Sequence, residues 1–193
     1  MIDYELTDQE KALKAKATEL AAKEIAPQAK LLDEASKAEV CGHMKNNLKK
    51  LASAGVLEAG LADGTIDLIS AYLAGEEIAK ACASTYMSAR ASSFLAGGAI
   101  ALFGTADQKN AYLPGIKTAD KIGALAYSEA DSGTDLGALA STAVSEGGNW
   151  LLSGTKDIVM NAPIADVLLV LAWTDKSAGL EKGLRLFIVE KGA

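Results

Sequence analysis

Histidine, cysteine, arginine and net positive charge are all in short supply here, and each shortage excludes a class of function. Only one histidine and two cysteines occur in 193 residues. His43 lies on a polar helical turn with no Asp or Cys at ligand spacing, so it reads as a surface residue and not as a base or ligand. No metal is expected. Cys41 and Cys82 are far apart and form no Cys-x-x-Cys motif. They fit free thiols in a reducing compartment, which points to a cytoplasmic location. Arg90 and Arg185 are the only arginines. With a formal net charge of -6, the chain lacks the basic balance that nucleic acid or an anionic membrane surface requires. Any anionic ligand must rely on lysines, hydroxyls and backbone N–H groups. Long apolar runs are missing too. The most apolar stretch, Tyr86 to Phe103, is broken by Arg90, Ser92 and Ser93, so it reads as a buried helix and not as a membrane span. The N-terminal MIDYELTDQE is acidic and polar, unlike a signal peptide.

Half of the residues are hydrophobic and 23% are charged, the balance of a soluble globular chain. The first half has helical spacing. Thr7 and Glu10 make a capping box. Leu13, Ala17, Leu20 and Glu24 then share a face, and Pro27 should end or kink that helix near Ile25. Met44, Leu48 and Leu51 form a second stripe with Gly55 as its stop, and Ile66, Ile69 and Leu73 form a third. Gly104 ends the Tyr86–Phe103 helix. Thr105 and Gln108 open another, which Pro114-Gly115 should close. From Ile122 the pattern turns to strands, at 122–129, 141–146, 150–153, 156–161, 167–174 and 184–191. Glu146-Gly147-Gly148-Asn149 signals a hairpin. Helices followed by strands predict an α+β chain: a helical domain over 1–120, then a partial antiparallel β-domain over 121–193.

Familiar catalytic constellations are absent. No Gly-x-Gly-x-x-Gly follows a strand, and Asp131-Ser132-Gly133-Thr134-Asp135 lacks the distal glutamate of a calcium loop. The informative stretch is Tyr127-Ser128-Glu129-Ala130-Asp131-Ser132-Gly133-Thr134-Asp135. It follows a strand and is dense in small and hydroxyl residues, which can turn backbone N–H groups and a hydroxyl toward a phosphate. By itself it reads more readily as a plain surface loop. It stands, however, in an ordered series. Phe103-Gly104-Thr105-Ala106-Asp107-Gln108-Lys109 and Tyr112-Leu113-Pro114 precede it. Trp150-Leu151-Leu152-Ser153-Gly154-Thr155-Lys156, Asn161-Ala162, Ala165-Asp166-Val167 and Phe187-Ile188-Val189-Glu190-Lys191 follow. Upstream stand Glu24-Ile25-Ala26-Pro27, Asp33-Glu34 and Leu51-Ala52-Ser53-Ala54-Gly55-Val56-Leu57. In order and spacing this series resembles the acyl-CoA dehydrogenase family over nearly the whole chain.

The resemblance implies an FAD enzyme that desaturates an acyl-CoA thioester between its α and β carbons. It implies that Leu125, Ala126, Tyr127 and Ser128 line the flavin ring. Gly133 and Thr134 would hold the pyrophosphate, with Thr134 also near the acyl-CoA substrate, and Ile158, Val159 and Met160 would approach the ring. The chain also departs from the family pattern. Asp131 adds a negative charge beside the expected pyrophosphate. Ile158-Val159-Met160 stands where the family has Trp-Ile-Thr, which removes an aromatic contact and a hydrogen-bond donor. Leu61-Ala62-Asp63-Gly64 replaces Pro-Glu-x-Tyr-Gly-Gly. The sequence stops after Ala193, before the region where the family carries its catalytic carboxylate, so no catalytic residue is assigned. The expectation is a piece or subunit with no activity and weak flavin binding alone. It would form a hetero-oligomer with a chain carrying the remaining domain, or else a homo-oligomer. The alternatives are a degenerate non-catalytic subunit that supplies an interface to an active relative, and a flavin oxidase or monooxygenase of the same fold.

Overall fold

The structure, a computed structural model, describes residues 5–59, 61–62 and 65–193, without the side chains of 62, 65 and 66. The expected replacement loop at Asp63-Gly64 and the Ile66 side chain therefore lie outside the described residues. The chain divides into two compact units, Met1–Ile122 and Gly123–Ala193.

Local signals set most helix ends in the first unit. Helix α1, Asp8–Leu20, begins with the expected capping box: the Thr7 hydroxyl accepts from Glu10 N–H while the Glu10 carboxylate accepts from Thr7 N–H. Pro27 distorts the helix where expected but does not end it. The backbone widens into a π-turn over Ala21–Ile25 and continues as α2, Ala26–Glu34, with Pro27 in its first turn. The widened turn accommodates the proline ring and its missing N–H within a continuous helix. Helix α3, Lys37–Ser53, opens with a second capping box, Ser36 with Glu39, which sequence reading passed over. Gly55 closes it at φ +73°, with Gly55 N donating to Ala52 O and Val56 N to Leu51 O, a Schellman ending. Two-residue strands β1, Leu61–Ala62, and β2, Thr65–Ile66, pair antiparallel.

Helix α4, Leu68–Ala81, corrects one expectation. Its buried side is Ala71, Ala74, Gly75, Glu77 and Ile78, while Ile69 is 41% exposed and Leu73 only half-buried. Small residues won the interior because α4 packs tightly: a Cβ at Gly75 would lie 2.7 Å from Tyr86 Cε2. The expected Tyr86–Phe103 helix forms as α5, Ala83–Ala89, a π-helical stretch Arg90–Gly97, and α6, Gly98–Phe103. It is buried along Ala89, Ala91, Ser92, Ser93, Ala96, Ile100 and Ala101, and Gly104 ends it. Helix α7, Ala106–Lys117, starts at the Thr105–Gln108 capping box but runs past Pro114. Its closing turn is held by Thr118, whose N–H and hydroxyl both donate to Pro114 O.

The second unit is one five-stranded sheet. Strand β3 is Gly123–Ala126, β4 Thr142–Glu146, β5 Asn149–Ser153, β6 Val167–Trp173 and β7 Leu184–Glu190. A short helix, α8, Gly179–Gly183, precedes β7. The hairpin of β4 and β5 turns at Gly147 and Gly148, both at positive φ, as expected. The α+β class holds, but the sheet is mixed where an antiparallel one was expected. β6 pairs parallel with β3 and β4 and antiparallel with β7. The connections explain it: β3 reaches its neighbour β6 only after the β4–β5 hairpin, a crossover that brings it back in the same direction. The expected strand at 156–161 is a loop with Ile158 and Asn161 at positive φ. Val167, Leu169 and Trp173 are buried on one face of β6. On the other face Leu168 pairs with Val189 and Val170 with Phe187, all four half-buried.

Candidate functional site

All nine candidate residues lie on loops or strand ends of the sheet unit. Leu125 and Ala126 finish β3, half-buried and buried respectively. Tyr127 is 41% exposed just beyond it, beside half-buried Ser128. Two bonds tie this strand end to the 156–160 loop: Asp157 N donates to Ser128 O at 2.9 Å, and Lys156 Nζ to Tyr127 O at 3.3 Å. The structure thus brings residues 125–128 beside the segment holding Ile158, Val159 and Met160. Gly133 and Thr134 sit on the next turn, both exposed, and share no hydrogen bond with the 156–160 segment. That turn is closed by Glu129 N to Ser132 O at 2.7 Å and by the Ser132 hydroxyl to Asp135 O at 2.8 Å.

Sequence reading missed what holds these loops. Glu129 is a buried carboxylate whose neighbours are all donors. It accepts from Ala140 N at 2.6 Å, Ser141 N at 3.0 Å, the Ser141 hydroxyl, and Lys156 Nζ at 2.7 Å. The Glu129 and Lys156 side chains are 8% and 10% exposed. Burial pushes the Glu129 carboxyl up, but the Lys156 ammonium, the Ser141 hydroxyl and the two backbone N–H groups more than reverse it, to about 2. The Glu129 carboxylate is therefore ionised and accepts from four donors, the condition under which a buried carboxylate is held well. Gly154 lets the neighbouring strand end close onto this cluster, since a Cβ there would lie 2.7 Å from Ser141 Cβ. The only available signal was a charged residue at each loop, Glu129 and Lys156, and nothing in the sequence pairs positions 27 apart.

Two features mark the loops as facing something. Ile158 has φ +53° and is 94% exposed. A β-branched residue is strained in the left-handed region, and such strain gathers at ligand sites. In addition, the Ser128 and Thr134 hydroxyls make no hydrogen bond among the described residues. No cluster of three His, Cys, Asp or Glu side chains able to hold a metal occurs among the described residues, and no helix there is long and apolar enough to cross a membrane.

The N-terminal domain model of the acyl-CoA dehydrogenases matches residues 7–120, and their middle domain model matches residues 124–193. The chain belongs to the acyl-CoA dehydrogenase family. It is 33% identical to a short-chain-specific acyl-CoA dehydrogenase of Clostridium acetobutylicum, over 99% of this chain and 50% of that protein. Among solved structures, butyryl-CoA dehydrogenase from Megasphaera elsdenii superposes with a TM-score of 0.85 at 30% identity, over 99% of this chain and 50% of that one. A glutaryl-CoA dehydrogenase in complex with glutaryl-CoA gives 0.87 at 27% identity, over 98% and 48%. The chain spans about half the length of the relatives it matches, their N-terminal and middle domains.

Proposed function

We propose that this chain supplies the helical and flavin-contacting part of an FAD-dependent acyl-CoA dehydrogenase. The catalytic carboxylate would come from further sequence or from another chain, in a hetero-oligomer or homo-oligomer. The observation that carries the reading is the clasped pair of loops, which presents unbonded hydroxyls and a strained, exposed Ile158 from one rigid base. These residues fit FAD in part. Ser128 and Thr134 offer free hydroxyls for phosphate or ring polar atoms, and a Cβ at Gly133 would meet nothing within 4 Å, so the backbone there is open to close approach. Leu125, Ala126, Tyr127, Ile158, Val159 and Met160 offer contact area for a planar ring. Met160 cannot donate a hydrogen bond, which weakens the fit. When bound, FAD would supply the acceptor for hydride from the acyl β-carbon. This chain's residues would hold the cofactor, and Thr134 would also stand near the acyl-CoA substrate.

The test is reconstitution. The chain is co-expressed with the C-terminal half of the Clostridium acetobutylicum relative and assayed for stoichiometric flavin absorption and for dye reduction by short acyl-CoAs. A yellow, active complex supports the reading. A colourless complex of the two chains overturns it, and a yellow but inactive one favours the non-catalytic subunit.

A further inference from the structure

The helical unit carries a cation with no anion, and that cation borders a small cavity. Arg90 is half-buried, and its guanidinium carbon lies 3.7 Å from the Phe94 ring centroid and 4.9 Å from that of Tyr72. No hydrogen bond or ion pair reaches that guanidinium among the described residues. The buried lysine of the sheet unit, by contrast, has its carboxylate at 2.7 Å. Arg90 lines a cavity of about 20 Å³ between α3, α4 and α5, room for one water-sized species. The wall is apolar, with Leu51, Leu57 and Ile78 almost wholly buried, apart from the side chains of Tyr86, Arg90 and Ser93. The Ser93 hydroxyl already donates to Ala89 O at 2.9 Å. The Tyr86 hydroxyl makes no hydrogen bond among the described residues, and none of their carboxylates lines the cavity. The helix also widens here: Arg90 and Ser93 belong to the π-helical stretch Arg90–Gly97. The other π-turn, at Ala21–Ile25, runs into Pro27, but this one contains no proline. Such widened turns are uncommon and gather at functional sites.

We infer that Arg90 holds one small monovalent anion, a halide, in this cavity. The two rings cover the faces of the guanidinium, so its N–H donors remain in the plane and open to an anion. Tyr86 adds an O–H donor. A buried water needs acceptors for its own hydrogens as well as donors. The cavity's side chains offer two unused donors and no carboxylate or amide oxygen, a set that suits an anion better than water. The apolar wall lowers the local dielectric and so strengthens the attraction between cation and anion. The volume excludes carboxylates, sulfate and phosphate, which leaves chloride or bromide as the occupant. Neither flavin nor an acyl thioester is involved, so this inference stands or falls apart from the proposed function.

Chloride NMR on the 193-residue chain tests it, together with melting in chloride and in gluconate salts at one ionic strength. The chloride line should broaden saturably, and bromide should reverse the broadening while acetate should not. Arg90→Gln should weaken chloride binding at least ~10-fold, with Arg90→Lys in between. Exchanging gluconate for chloride should raise the helical transition in circular dichroism and leave the tryptophan transition, which reports the sheet unit, unmoved. Broadening that persists in Arg90→Gln would place the chloride on surface lysines and overturn the inference. So would acetate that competes as well as bromide. A helical transition indifferent to chloride would also overturn it, and is the result expected of a cavity that holds water. The salt exchange on the wild-type chain decides even if the Arg90→Gln chain fails to fold.

Discussion

The helical and sheet units are tied together over different distances along the chain. In the helical unit, the bonds that set helix starts join residues three apart: Thr7 with Glu10, Ser36 with Glu39, Thr105 with Gln108. In the sheet unit, the bonds that hold the candidate site join residues 12, 27 and 34 apart, through Ser141 to Glu129, Lys156 to Glu129 and Trp173 Nε1 to Leu139 O. Local bonds each contribute little and are replaceable. A buried ionic cluster concentrates its contribution in a few atoms, and losing one partner strands the others. The comparison can be broken from either side. Both tryptophans, Trp150 and Trp173, lie in the sheet unit, so their fluorescence reports that unit alone, while far-ultraviolet circular dichroism is dominated by the helical one.

The largest effect should come from Lys156→Met, which leaves the buried Glu129 carboxylate without its counter-ion. A loss of about 3–5 kcal/mol is expected for the sheet unit, read from tryptophan fluorescence in urea. Lys49→Met also removes an ion pair, the exposed contact with Asp120, and should leave the helical transition unmoved. Equal shifts from the two variants would mean that burial does not separate the units.

Acid sharpens the same contrast. The Glu129 carboxyl is held at about 2, below its ordinary value of 4.5, so the unfolded chain binds its proton first. The stabilisation is complete above about pH 4.5 and is lost as pH falls toward 2. Tryptophan-detected stability should therefore slope downward across that window. In Glu129→Gln the slope should flatten while stability at neutral pH is lower. A slope unchanged by the substitution would assign acid sensitivity to other carboxylates.

A smaller loss, about 1 kcal/mol, is expected for Thr105→Ala, which removes one half of a capping box. It should shift the dichroism transition and not the fluorescence one.

The range of these bonds also explains what could be read from sequence. Capping boxes at Thr7 and Thr105, the Gly55 stop and the Gly147-Gly148 hairpin are encoded within a few residues, and each forms. The Ile69–Leu73 stripe was legible as apolar, but periodicity does not say which apolar face a helix buries, and the small Ala71, Ala74 and Gly75 side took the interior. The π-turn at Ala21–Ile25 and the run past Pro114 show that a helix can absorb a proline without ending. The family series located the candidate loops, because order along the chain is itself a sequence property. The clasp of Glu129, Ser141 and Lys156 was not legible, because it depends on which strands become neighbours. Lys156–Asn161 looked like a strand for the same reason: Ile158 and Val159 have strand composition, and only the tertiary ties of Lys156 and Asp157 to Tyr127 and Ser128 turn the segment into a loop.

Ile158 gives the finest test, because it reverses the sign. Replacing a residue in a folded site usually destabilises. Here the native residue is itself the poor choice: its φ is +53°, its side chain is 94% exposed, and no packing offsets the strain. Asparagine tolerates the left-handed region far better than a β-branched side chain. Ile158→Asn should therefore stabilise the sheet unit, by roughly 1 kcal/mol, at the low end of the cost of a strained backbone residue. Tryptophan fluorescence in urea reads the gain. The same variant should weaken flavin binding in the reconstituted complex, since the exposed aliphatic surface it removes is what the strain presents. A gain in stability together with loss of flavin would mark Ile158 as held in place for a ligand. A loss of stability would mean that the side chain is packed in solution and that the 156–160 loop is a structural connection only.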